Sequence, residues 1–234
     1  MDRDVWTVAQ KELKEILIIT FTRGHLLSSA LLLGIFGFFI PYEQGDFFLR
    51  QTSTSLSLYI FLVPLLICSG LVADSFAGER ERKTLESLLS TRISNTALFT
   101  GKVLAIFIYT YLFLIVMILA SVFGANYYVW KAEMGRWFFF NKLSIFALFV
   151  FTIPVILAGI AVGVFFSLKC RDLRTAFQFS RMGWFILCLP FIFGWLTFQI
   201  SWDFLIPGFY VLFIMDGLLL AGGARLFHRS KVIS

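Results

Sequence analysis

The sequence predicts an all-α integral membrane protein with six transmembrane helices. An N-terminal amphipathic helix lies in the membrane interface, and a short charged helix lies in the cytoplasm between spans two and three. Three observations carry that prediction. Hydrophobic residues make up 59% of the chain and charged residues 15%, against about 45–50% and about 25% in soluble domains. A soluble fold of this size has too little interior to hide so much apolar surface. Six apolar stretches approach the ~20 residues that cross a bilayer core, and Lys and Arg are concentrated on alternate connections.

The elements follow in chain order. Residues 3–22 place Val5, Ala9, Leu13, Ile16, Leu17 and Thr20 on one helical stripe, with Arg3, Lys11, Lys14 and Glu15 elsewhere. That pattern suits a helix lying in the interface, with Trp6 at headgroup level. The expected spans are 25–40, 53–73, 102–123, 142–167, 182–199 and 207–224, all helical because lipid satisfies no open backbone. The first apolar run ends at Pro41 without a small-residue cleavage pattern, so no cleavable signal peptide is expected.

Sixteen of the 20 Lys and Arg residues fall on one set of connections. These are the N-terminal segment, the stretches after spans two and four, and the C-terminal tail. The other set holds Arg50, Lys131, Arg136 and Lys142. The positive-inside rule puts both termini in the cytoplasm of a cell (plasma or inner) membrane protein. The outward connections are short and aromatic, with Tyr42, Phe47, Tyr127, Trp130 and Trp137 forming an interfacial belt. Gln199 to Pro207 is nearly devoid of polar groups and reads as an element dipping into the outer leaflet. The whole of 1–234 is a single transmembrane domain.

The net charge of +6 is accounted for by this topology, so no nucleic-acid partner is expected. Cys68, Cys170 and Cys188 are odd in number and lack metal-ligand spacing. His25 and His228 are isolated, and no metal site is expected.

The most informative stretch is 75–96. Six of the eight residues from Glu79 to Glu86 are charged, three of each sign. Burying them in lipid would cost on the order of 15–20 kcal/mol, at about 2.5–3.5 kcal/mol each. The run is therefore cytoplasmic. Leu85, Leu88 and Leu89 share helical spacing behind it and form an apolar stripe that needs a partner. The headgroup layer, neighbouring helices of the same chain, or another protein would each serve.

The string Gly78-Glu79-Arg80-Glu81, then Thr84-Leu85-Glu86-Ser87-Leu88-Leu89, preceded by Asp74 and followed by Gly101-Lys102, resembles the signature of ABC-2 type ABC transporter permeases. Family members often carry Pro soon after the Leu-Leu pair, where this chain reads Ser90-Thr91-Arg92-Ile93-Ser94. The resemblance implies that 75–96 is a coupling helix, docked on a separate P-loop ATPase subunit present in two copies. Glu79, Arg80, Glu81, Arg82 and Thr84 would be its polar contacts, and Leu85, Leu88 and Leu89 its anchors. Lys169 to Gln178 would be either a smaller second contact or a site for anionic lipid. A second permease chain, identical or related, would complete the pathway, and the implied function is export. The chain itself has no P-loop: Gly101-Lys102 is followed by Val103, and Thr96 stands where the first Gly belongs. No cofactor is expected in this chain, and ATP with Mg belongs to the partner. The chain is not expected to be an enzyme.

Asp216, near the middle of span six, is a candidate pathway residue, since an intramembrane carboxylate is costly. It is equally open to a structural reading as a protonated or hydrogen-bonded group. It supports the alternative of an ion- or proton-coupled carrier. Asp74 and Lys102 read as snorkelling or capping groups at span ends. Gly159-x-x-x-Gly163 and Ala120-x-x-x-Gly124 permit close helix approach, within the chain or in a dimer. Pro64, Pro154 and Pro190 predict kinks. No constellation for an intramembrane enzyme is present.

Overall fold

A computed structural model describes residues 2–82, 94–170, 172–198 and 201–227. Among these residues every regular element is a helix. Six helices are long and apolar enough to cross a membrane: Leu26–Gln44, Thr54–Glu81, Asn95–Lys131, Lys142–Lys169, Leu173–Thr197 and Trp202–Leu226. An N-terminal helix, Asp2–Thr20, precedes them. Of the expected cytoplasmic segment 75–96, residues 75–82 and 94–96 are described: 75–81 continue span two as helix and Asn95 begins span three; Thr84, Leu85, Leu88 and Leu89 lie outside the described residues.

Span two contains a π-helical stretch at Asp74–Gly78 that no proline follows. Spans one, two and four each contain another widened, π-helical stretch: Leu33–Phe39, Leu58–Leu62 and Phe146–Phe151. Each stops two or three residues before a proline, namely Pro41, Pro64 and Pro154. Proline removes one ladder hydrogen bond and its ring crowds the preceding turn. The helix here widens locally and continues. For that reason span one runs on to Gln44 instead of ending at residue 40.

Four other boundaries differ from the sequence reading. Span two runs on to Glu81 instead of ending at residue 73. Span three is 37 residues long, about 55 Å at 1.5 Å per residue, and overshoots a ~30 Å hydrocarbon core. Span five starts at Leu173, so the stretch expected as a basic loop through Gln178 is mostly helix. Span six starts at Trp202 and takes Pro207 inside it. Residues 202–207 of the stretch expected to dip therefore belong to span six, and Gln199 and Ile200 lie outside the described residues.

The N-terminal helix packs along span three. Its buried face is Val8, Ala9, Glu12 and Ile16, while Leu17 is 44% exposed. The stripe is thus rotated from the one expected, and it contains a carboxylate. Gly101 makes the approach possible, because a Cβ there would come within 2.7 Å of Val8 Cβ. The small-residue motifs likewise serve contacts within the chain. A Cβ on Gly163 would meet Val72 at 2.9 Å, one on Gly159 would meet Trp184 at 3.0 Å, and one on Gly124 would meet the Phe38 carbonyl at 2.7 Å.

Two large apolar cores result, with a small third cluster of Ala73, Ala77 and Ala176 between spans two and five. One, at the end carrying the aromatic connections, includes Phe48, Tyr59, Phe61, Phe151 and Trp195. The other, at the end carrying most of the Lys and Arg, includes Val8, Val72, Phe76, Phe99, Ile160 and Phe227. These ends are called the aromatic end and the basic end below.

Candidate functional site, a charged junction at the basic end

The charged run after span two begins by turning inward. Glu79 Oε1 lies 2.5 Å from Lys102 Nζ, and Glu12 Oε1 lies 2.9 Å from the same nitrogen. The Lys102 side chain is 0% exposed, the Glu12 side chain 5% and the Glu79 side chain 13%. One ammonium thus sits between two carboxylates from two other helices. The snorkelling expected of Lys102 does not occur, because its partners are inside the protein and the N-terminal helix covers it.

Arg80 donates to the carbonyls of Leu168 at 3.0 Å and Ser167 at 3.2 Å. Both belong to the last turn of span four, whose final carbonyls have no helical partner and carry the negative end of the helix dipole. Glu81 Oε2 accepts from the backbone N–H of Leu173 at 3.1 Å. Leu173 is the first residue of span five, where orphan N–H groups favour an anion. Three consecutive side chains therefore reach four helices: the N-terminal helix and span three through Glu79 and Lys102, span four through Arg80, and span five through Glu81. Arg82 folds back on Asp74 at 2.7 Å.

Of the expected polar contact residues, Glu79 and Arg80 are half-buried and held within the chain, while Glu81 and Arg82 are exposed. Asp216 is elsewhere. It is 1% exposed, on the face of span six that also carries buried Leu205, Leu212 and Gly223. Neither carboxylate oxygen has a hydrogen-bond partner among the described residues. No cluster of His, Cys, Asp and Glu suited to a metal is found among those residues.

Two features had no clear sequence signal. A cavity of about 760 Å³ opens at the basic end, between the N-terminal helix, spans one to three and the start of span five. Beside it Arg181, two turns into span five, stacks 4.1 Å over the Phe177 ring and donates to Ser69 Oγ at 3.3 Å. Read as loop, Arg181 drew no attention; on a helix it is a charge at membrane depth.

The chain matches the family described as ABC-2 family transporter protein over residues 38–215. No curated protein matches it significantly. The matched stretch takes in spans two to five whole, and with them Glu79, Arg80, Glu81 and Lys102. By that match the chain belongs to the ABC-2 family of transporter proteins, a membrane transport component rather than a P-loop ATPase.

Proposed function

We propose that this chain is the permease subunit of an ABC exporter, driven by a separate P-loop ATPase that binds beneath its basic end. The observation that carries the reading is the junction itself. Glu79, Arg80 and Glu81 fix the base of the 75–96 segment to four helices at once, so a force applied beyond that base reaches most of the bundle.

In this reading the basic end faces the cytoplasm, as the Lys and Arg distribution requires, and both termini lie there. Leu85, Leu88 and Leu89 dock in a groove of the ATPase subunit, with Thr84, Glu81 and Arg82 at the rim. Glu79 and Arg80 set the angle at which that helix leaves the membrane. Two permease chains and two ATPase subunits form the working unit in the plasma or inner membrane, and ATP and Mg are bound by the ATPase alone.

The test is capture of a P-loop ATPase by the tagged chain. Leu85→Glu and Leu88→Glu each put a carboxylate into an apolar groove and should cut capture about tenfold or more, since a buried charge without a partner is costly. Capture unchanged in both variants would refute the docking.

Buried, unpartnered Asp216 favours a second reading, an ion- or proton-coupled carrier. Transport by vesicles lacking any ATPase, abolished by Asp216→Asn, would establish it. Transport that requires ATP and survives Asp216→Asn would dismiss it.

A further inference from the structure

We infer that the cavity at the basic end binds an acidic single-chain amphiphile, with its head on the Arg174–Arg181 stripe of span five and its tail along the apolar wall. The volume of about 760 Å³ lies within the ~300–1,000 Å³ usual for small-molecule sites. Its deeper wall is apolar, formed by Leu32, Leu66, Ile67 and Phe113. Its mouth carries hydroxyls and charges, among them Ser75, Asp74, Arg82 and Arg174. From Asp74 to Leu66 along span two is about 12 Å at 1.5 Å per residue, and Leu66 lies near the middle of Thr54–Glu81, so the cavity reaches well along the span.

The charge balance selects the sign of the occupant. Asp74 and Arg82 pair with each other at 2.7 Å and cancel. Arg174 lines the cavity, and Arg181 lies over Phe177, a residue of the same wall. Neither arginine has a carboxylate within 4.0 Å among the described residues. Residues 174, 177 and 181 share one face at i, i+3 and i+7. A wall on which two guanidinium groups near one aromatic ring have no carboxylate partner among the described residues accepts a phosphate or carboxylate head and disfavours a cation. A ligand with only a polar head would leave the deep apolar wall uncovered.

That this amphiphile is cargo rests on the exporter reading; that it binds does not. The purified chain in zwitterionic nanodiscs is exposed to a photoactivatable hexadecyl phosphate or to its hexadecyl trimethylammonium counterpart, and labelled peptides are mapped. The phosphate probe should label the segments around Leu66–Leu71 and Leu173–Phe177, and the cationic probe should not. Arg181→Gln and Arg174→Gln should each weaken labelling about tenfold, the loss of one charge-assisted contact, and Arg181→Lys should retain most of it. Gly70→Leu should abolish labelling, since a Cβ there sits at an ordinary 3.6 Å from Phe177 and the rest of the side chain enters the cavity.

Competition by phosphatidylglycerol in the nanodisc would identify the occupant as membrane lipid, and its failure as a free amphiphile; both keep the acidic chemistry. Equal labelling by the two probes overturns the inference on the unmodified protein alone, as does labelling unchanged in Gly70→Leu. ATPase capture is scored separately. A chain that captures an ATPase and labels with neither probe loses this inference and keeps the proposed function.

Discussion

At the aromatic end, contacts are made by rings and by uncharged amides, Asn126 within its own connection and Gln51 across to the connection after span three. Phe61, Phe151 and Trp195 pack with ring centroids 5.8 to 6.4 Å apart. Asn126 holds Phe138 by both its N–H and its carbonyl, at 2.8 and 3.2 Å, and Gln51 pins Phe139 and Asn141 in the same way. At the basic end, single charged side chains bridge between helices far apart in sequence, as Lys102 does to Glu12 and Glu79. Apolar packing has no preferred partner and seals whatever lies beside it. Charge pairing in a dry site is specific and costly to break. Stability in the first region is spread over many rings, whereas in the second it is concentrated in a few groups that also set the position of the segment leading to the proposed docking helix.

The strongest test of that contrast is Lys102→Met. It removes one cation and strands two buried carboxylates, for which breaking a buried pair costs about 3–5 kcal/mol. The expected result is a large drop in the melting temperature of the detergent-solubilised protein. Adding Glu12→Gln and Glu79→Gln to Lys102→Met removes the stranded charges and should recover most of that stability. The triple variant should nevertheless couple poorly, because the 79–82 turn is then held to spans four and five by Arg80 and Glu81 but no longer to the N-terminal helix and span three. If Lys102→Met alone melts like the parent, the junction is not the anchor described here.

Next in size is Asn126→Ala at the aromatic end. It leaves the Phe138 N–H and carbonyl unpaired at a half-buried site, at about 1–3 kcal/mol for a group left unsatisfied. Melting should fall modestly while ATPase capture stays at the parent level, because nothing at the basic end has moved. A loss of capture in this variant would erase the distinction between the two regions.

The sequence exposes the two regions unequally. Span existence was legible because hydropathy measures what lipid requires, and each of the six windows is found as helix. The aromatic end was legible for the same reason, since belts are compositional. Gly78-Glu79-Arg80-Glu81 stood out as a string, but its geometry did not. Whether Lys102 snorkels or is buried depends on Glu12, 90 residues away, and no local pattern records that pairing. Leu173 to Arg181 read as loop because Arg174 and Arg181 depress the hydropathy of a stretch that nevertheless continues a helix. The close approach of the N-terminal helix was written in Gly101, a glycine whose neighbours in sequence give no hint that Val8 lies against it.

The smallest expected effect is the most diagnostic of position. Lys11 and Glu15 form an i,i+4 pair at 3.3 Å on the N-terminal helix, with side chains 51% and 49% exposed. Such pairs contribute about 0.2–0.5 kcal/mol and are screened by salt. Lys11→Ala should therefore shift melting by an amount that disappears as salt is raised. Glu12 is the next residue, and Glu12→Ala should destabilise by more than Lys11→Ala at every ionic strength, because its carboxylate meets Lys102 where counterions do not reach. Two adjacent charged residues on one helix, Lys11 and Glu12, then differ in effect because one faces solvent and the other Lys102. Equal and equally salt-sensitive shifts would mean that the N-terminal helix does not seat on span three, and the junction would lose one of its four arms.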